Sequence, residues 1–245
     1  MSEEPIVYVS GGKLGDLIHQ LSIINEMYLT TERKGILYLR PDHFNSNYLI
    51  TYNDTYNLIK QQPYIEKYVI WNGEPYEIDL STWRFSPLLY KRSLQTIFSS
   101  IYSIDWARSP WLFVGEKKPE LMSKMLFCCS ECPGRFPDKI NFNKLFAKYG
   151  INNVLFITQT ISEYNTFFSK TGIKLQLYTP SSIEDFVNSI NSCALFIGNL
   201  SSPLTYAYAL HKSNITLFNS VCYDQNTHFT GLNFMNDLEI LIDNN

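Results

Sequence analysis

No run of about eighteen consecutive apolar residues occurs in the sequence, so no segment reads as a bilayer-spanning helix. There is no block of lysine and arginine either. Against 23 acidic side chains stand 20 basic ones, a net charge of −3, and that balance argues against nucleic acid as the main partner. Cysteine is sparse and odd in number, five in 245 residues, without the spacing of a disulfide framework, which favours a reducing compartment. Glycine and alanine are scarce while Asn, Ile, Tyr and Phe are heavily used. That bias is common in AT-rich genomes, large DNA viruses among them, and on it a viral source and a cytoplasmic location in the host are expected. The acidic start, Met1-Ser2-Glu3-Glu4-Pro5, runs straight into a strand and does not read as a secretory signal.

What is present is enough for a core: 45% of the residues are hydrophobic and 15% aromatic. The length allows one large domain or two compact ones. Short apolar runs alternate with helix-period segments. Ile6-Val7-Tyr8-Val9 reads as a buried strand, Leu17, Ile18, Leu21, Ile24 and Tyr28 as one helix face, and Ile36-Leu37-Tyr38-Leu39 as a second strand, a parallel crossover unit. Tyr68 to Trp71 is a third strand, and Leu94, Ile97, Phe98 and Ile101 mark another amphipathic helix. The alternation repeats in the second half, with strands at Met125–Cys128, Val154–Ile157, Leu175–Tyr178, Ala194–Ile197 and Ile215–Phe218. Helices are predicted at Ser162–Thr171, stopped by Gly172, over Ile183–Ile190 behind a capping box of Ser181 and Glu184, and at Pro203–Leu210. Two Rossmann-like α/β domains follow from this pattern, residues 1–118 and 119–245, with the charged stretch Gly115-Glu116-Lys117-Lys118-Pro119 as the linker.

The first feature that can carry chemistry is Gly11-Gly12-Lys13-Leu14-Gly15-Asp16-Leu17-Ile18-His19, between a strand and a helix. Glycines there permit positive φ and close approach of a ligand, and free N–H groups at a helix start attract anions. No Gly-Lys-Ser/Thr ends it, so it is not a P-loop, and the third glycine of the dinucleotide fingerprint is missing. Two readings stand. Asp16 is a helix-start acid in a tight turn, or, lying at the carboxyl end of the first strand, a general base for a hydroxyl nucleophile. His19, three residues on, either shares a face with Asp16 or is a half-exposed helix residue.

The second feature is Phe196-Ile197-Gly198-Asn199-Leu200-Ser201-Ser202-Pro203, a buried strand ending in glycine, two hydroxyls, and a proline that opens a helix. Ser201, Ser202 and the first-turn N–H groups suit a phosphate or diphosphate held without a metal; an ordinary serine cap before proline is the alternative.

Together these two loops resemble the heptosyltransferase-type glycosyltransferases, as does Arg135 in Gly134-Arg135-Phe136-Pro137. The resemblance extends in outline over most of the chain and implies a GT-B fold: two facing Rossmann-like domains, the C-terminal one holding a nucleotide-sugar donor. By the same resemblance Asp16 matches the catalytic base. Gly198, Asn199, Ser201, Ser202 and Pro203 lie in the donor-diphosphate loop, and Arg135 matches a position that neutralises the leaving nucleotide. Gly11, Gly12, Lys13, Gly15 and His19 are the substrate-side candidates beside Asp16. The sequence departs from the family at Leu200, where an Asp is usual, and at Thr205, where a His is usual. The glycine loop also resembles the Gly-Gly-x-x-Gly-Asn loop of fucosyltransferases, which leaves the sugar open.

The implied function is transfer of a sugar from a nucleotide-sugar to a glycan or other hydroxyl acceptor, with no cofactor besides the donor. No Asp-x-Asp pair occurs to hold a divalent ion on the diphosphate, so metal independence is expected. The departures at Leu200 and Thr205 favour an alternative, a non-catalytic nucleotide- or glycan-binding scaffold that keeps the fold. A nucleotide-dependent oxidoreductase fits less well without the dinucleotide fingerprint. Cys129-Ser-Glu-Cys132 has C-x-x-C spacing but neither a second such pair nor paired histidines for zinc. Trp71, Trp83, Trp106 and Trp111 read as packing aromatics before sugar-stacking ones.

Overall fold

A computed structural model of the chain describes residues 4–41, 47–89, 92, 94–106, 108–131, 135–137, 140–219 and 238–243. The chain divides into two compact units, with the change from the first to the second between Phe113 and Val114. Each is a parallel sheet flanked by helices, a Rossmann-like α/β unit.

In the first unit the strands are β1 (Ile6–Ser10), β2 (Gly35–Leu39), β3 (Ile65–Ile70) and the short β4 (Ile78–Asp79), in the order β3-β2-β1-β4 and all parallel. The helices are α1 (Leu14–Thr31), α2 (Tyr48–Lys60) and α3 (Leu94–Tyr102). Leu17, Ile18, Leu21 and Ile24 of α1 are fully buried, within a stretch from Leu17 to Glu26 in which every residue is buried; Tyr28, expected on the same face, is half-buried. Trp83, Trp106 and Trp111 are buried too, and the indole of Trp111 donates to Ile18 O at 2.8 Å. Their role here is packing, with the polar edge of Trp111 satisfied on α1.

The second unit holds β5 (Met125–Cys128), β6 (Val154–Ile157), β7 (Gln176–Tyr178), β8 (Leu195–Asn199), β9 (Asn214–Asn219) and β10 (Leu238–Asp243). Their order is β10-β9-β8-β5-β6-β7, parallel throughout. The helices are α4 (Phe142–Tyr149), α5 (Ile161–Thr171), α6 (Ile183–Ser192) and α7 (Ser202–Ala209). Phe127, Phe142, Phe146, Phe156 and Phe167 meet edge to face in the core beside β5, with Phe127 and Phe167 centroids 4.9 Å apart. Gly172 ends α5 in the left-handed conformation at φ 69°, as its position predicts.

The cap of α6 differs from the expected pair. Ser182, not Ser181, is the N-cap, and its hydroxyl accepts from Asp185 N at 3.0 Å. Asp185 rather than Glu184 closes the turn, because its carboxylate also accepts Ser181 N at 2.8 Å and pairs with Lys118. Burial alone would raise the Asp185 pKa, but the hydrogen bonds from Lys118 and Ser181 outweigh it and hold the carboxyl below its ordinary value. The charged stretch read as a linker lies along α6: Asn188 Nδ2 donates to Glu116 O at 3.1 Å and Lys118 N to Ser192 Oγ at 2.8 Å. No described helix is long and apolar enough to cross a membrane.

Candidate functional site

In an open parallel sheet, ligands collect at the carboxyl ends of the two strands where the strand order reverses. That rule selects one place in each unit. In the first it is the junction of β1 and β4, since the chain runs from β1 to β2 and β3 on one side and returns to β4 on the other. In the second it is the junction of β5 and β8.

At the first junction, β1 leads into the glycine loop and β4 into a 3-10 turn at Thr82–Phe85. Gln20, inside α1 and fully buried, fastens the loop from below: its Oε1 accepts from Ser10 Oγ at 2.6 Å and its Nε2 donates to Gly11 O at 3.0 Å. Asp16 accepts the Lys13 N–H on Oδ2 at 2.9 Å, so it does cap the start of α1. The same oxygen lies 2.6 Å from Arg84 Nη2, and Arg84 Nη1 donates to Gly11 O at 3.3 Å. The guanidinium also packs over the Trp83 ring, 4.7 Å from its centroid. Gly12 has φ 103° and faces this group; a Cβ there would lie 1.9 Å from Arg84 Nη2. Beneath the turn, Arg40 at the end of β2 bonds Asp79 at 3.0 Å and Ser81 Oγ at 2.6 Å, and Asp79 Oδ1 accepts Ser81 N at 2.8 Å. Lys13 is exposed, while Gly15 and Asp16 are half-buried.

Two expectations change here. The helix-start N–H group of Lys13 is taken by Asp16, so this loop does not offer it to an anion. His19 is 2% exposed, not half-exposed; it packs inward, its ring centre 6.3 Å from that of Trp106. The run Leu17-Ile18-His19 turns with α1 into the apolar interior, and the histidine goes with it.

At the second junction the organiser is Asn199, the last residue of β8 and fully buried. Its Oδ1 accepts Ser130 N at 2.8 Å, and its Nδ2 donates to Ser130 O at 3.0 Å and Arg135 O at 3.2 Å. One amide thus ties the segment after β5 to the end of β8. Arg135 Nη1 in turn donates to Leu200 O at 2.9 Å, which brings a guanidinium to the loop that opens α7. Ser202 and Pro203 are half-buried in the first turn of α7. Ser201 is the N-cap, but its hydroxyl turns back to Asn199 O at 3.1 Å and makes no cap bond. Gly198 is a packing glycine, paired in register with Cys128 of β5; a Cβ would lie 2.7 Å from the Phe196 ring. Leu200 and Thr205 are each 6% exposed and pack inward.

Beside this junction, Glu163 in the first turn of α5 accepts from Thr158 Oγ1 at 2.6 Å. Burial, together with the neighbouring Glu131, pushes its carboxyl above the ordinary value against the hydrogen bonds of Thr158 and Ser130. The Cys128 thiol is fully buried and driven well up by desolvation, so it is no nucleophile. Cys129 is buried; Cys132 lies outside the described residues. Among the described residues no group of three or more His, Cys, Asp or Glu gathers. A cavity of about 360 Å³ lined by Ile151, Asn152, Val154, Lys174, Leu175 and Gln176 opens at the amino ends of β6 and β7, the wrong end of the sheet for these loops.

The sequence pointed to the glycine loop, Asp16, Arg135 and the α7 loop. It gave no sign of Arg84, Arg40, Asp79, Ser81 or Gln20.

The fold matches known structures over nearly the whole chain. A glycosyl transferase family 9 protein from Veillonella parvula superposes with a TM-score of 0.63 at 10% identity, covering 99% of this chain and 87% of that one. The E. coli heptosyltransferase WaaC with ADP-2-deoxy-2-fluoro heptose gives 0.64 at 10% identity over 98% and 93%. The E. coli ADP-heptose lps heptosyltransferase II gives 0.59 at 12% over 96% and 90%. The fold is GT-B. No protein-family model matches the chain, and no curated protein matches it in sequence.

Proposed function

We propose that this GT-B chain is a glycosyltransferase that moves a sugar from a nucleotide-sugar to a hydroxyl acceptor without a metal ion. The single observation that carries the reading is at the second switch point, where Arg135 is bonded to Leu200 O at the start of α7. A guanidinium fixed beside a helix start is suited to the negative charge that grows on a departing nucleoside diphosphate. Ser202, in the same first turn, is the hydroxyl assigned to the diphosphate. Asp16 in the first unit is assigned as general base. It takes the proton of the acceptor hydroxyl as that oxygen bonds the anomeric carbon, and the electron pair of the breaking bond leaves on the diphosphate. Metal independence rests on the sequence, which has no Asp-x-Asp pair.

A second reading, a nucleotide- or glycan-binding scaffold, is favoured by Leu200 and Thr205, which are buried and stand where the resemblance expects Asp and His. A thermal-shift panel of nucleoside diphosphates and nucleotide-sugars tests both. A ligand at a hundred times its dissociation constant stabilises by about 2.7 kcal/mol, a readily measured shift. No shift with any member refutes donor binding. A shift without transfer to any acceptor favours the scaffold. With a donor in hand, Asp16→Asn is expected to leave donor affinity unchanged and lower turnover roughly a hundred- to ten-thousand-fold; normal turnover would reduce Asp16 to a helix cap.

A further inference from the structure

The glycine loop of the first unit looks in sequence like a cradle for an anion, yet in the structure a cation fills it. Arg84 reaches the loop from the turn after β4. Its Nη2 holds Asp16 Oδ2 at 2.6 Å, its Nη1 holds Gly11 O at 3.3 Å, and its flat face lies on Trp83. The pair is largely shielded, with the side chains 13% and 23% exposed, so the interaction is less screened than a surface ion pair. Gly12 is shaped to this occupant. Its φ of 103° turns a bare Cα toward the guanidinium, where a Cβ would come within 1.9 Å of Nη2. The turn that presents Arg84 is itself fixed, because Arg84 N donates to Ser81 O at 3.2 Å and Ser81 is clamped by Asp79 and Arg40.

We propose that Arg84 is the positioning residue of Asp16, and that their pairing makes this loop a site for a neutral hydroxyl group instead of an anion. Three features act together. The Lys13 N–H and the guanidinium both bind the Asp16 carboxylate, so these two anion-attracting groups are spent internally. Asp16 and Arg84 then cancel as a pair, and the remaining charge of the loop is the exposed ammonium of Lys13. Both contacts fall on Oδ2, which fixes the carboxylate by one oxygen. Such a site is fitted to take a proton from an alcohol, and the diphosphate falls wholly to the second unit. In its catalytic consequence the inference rests on the assignment of Asp16 as base; in its binding consequence it does not.

Calorimetric titration with inorganic pyrophosphate separates the two. Ser202→Asp is expected to abolish binding, because the first unit's loop takes no anion while Asp16 is present. Adding Asp16→Asn to Ser202→Asp removes the internal carboxylate and is expected to create pyrophosphate binding, which a further Arg84→Gln abolishes again. The inference is overturned if Ser202→Asp protein binds pyrophosphate and loses it on Arg84→Gln, or if the Asp16→Asn, Ser202→Asp protein binds none. Should unaltered protein bind no pyrophosphate, the diphosphate site of the second unit fails as a reading, and the gain in the double variant still decides the role of Arg84. With a working transfer assay, Arg84→Ala is expected to lower kcat roughly a hundredfold, as misplacement of a catalytic group does, with donor affinity unchanged. Arg84→Lys, which keeps the charge, is expected to restore part of it; wild-type kcat in Arg84→Ala overturns the positioning role.

Discussion

Replacing Asn199 tests the architecture of the second switch point without any substrate. The side chain is fully buried and serves three backbone groups: the N–H and C=O of Ser130 and the C=O of Arg135, at 2.8, 3.0 and 3.2 Å. Asn199→Ala deletes all of those partners at once. Each buried polar group left unpaired costs about 1–3 kcal/mol, and carbonyls relax more readily than an N–H, so a total of about 3 kcal/mol is expected. Against a typical stability of roughly 5–15 kcal/mol that is a large loss. Asn199→Asp keeps the shape but turns the donating nitrogen into an oxygen facing the Ser130 and Arg135 carbonyls. It is expected to be worse than alanine at pH 7. Its carboxyl gains most when protonated in the folded state, so folding binds the proton more tightly than the unfolded chain does. Stability of that variant therefore falls as pH rises from the unfolded value, about 3.9, through the higher folded one. Urea unfolding followed by far-UV circular dichroism measures both; tryptophan emission will not do, because Trp71, Trp83, Trp106 and Trp111 all precede the second unit. A cost below about 1 kcal/mol for Asn199→Ala, or wild-type stability for Asn199→Asp at pH 7, would show that this amide does not organise the junction.

Gly12→Ala forces a side chain into φ 103° and against Arg84, at an expected cost of about 1–3 kcal/mol for the backbone alone; in an Arg84→Ala background the steric part should vanish, a non-additivity that denaturation of both singles and the double will reveal. Glu163 titrates above its ordinary value because it is buried, so the folded state holds its proton more tightly and stability is lost as pH rises from the unfolded value through the folded one. Glu163→Gln, which can still accept from Thr158, is expected to match the parent near pH 4 and exceed it at pH 8; equal melting temperatures at both pH values would refute the cause assigned. Transfer activity is expected to survive EDTA, and complete loss restored by Mn²⁺ would overturn the assignment of the diphosphate to Arg135 and the α7 start.

Local pattern carried the strands at Ile6, Ile36, Val154 and Ile215 because an apolar run in a buried parallel strand has no other place to go. It carried α1 and the buried face of α6 because their apolar residues recur at helical spacing, and α5, with Phe167 alone buried, through its Gly172 stop. The same logic passed over α2, where only Thr55, Leu58 and Ile59 are buried and tyrosines and asparagines fill the remainder, and over β4, two residues long and recognisable only once paired with β1. The cap of α6 fell one residue from its expected place: Ser182 bonds Asp185 N across the same i,i+3 spacing, and Lys118, far away in sequence, pairs with Asp185. The glycine loop and the Ser-Ser-Pro loop were legible as positions for chemistry, since strand ends followed by glycine or by a helix-opening proline are local signals. What fills those loops was not. Asp16 reads as a cap or a base until Arg84 is seen beside it, and Asn199 reads as a ligand until its amide is seen holding Ser130 and Arg135. Sequence by itself determined which segments become strands and helices and where their ends expose backbone. Tertiary structure alone decided which charges and amides meet at those ends, because that depends on the order in which parallel strands lie side by side, and strand order is fixed by packing over the whole sheet.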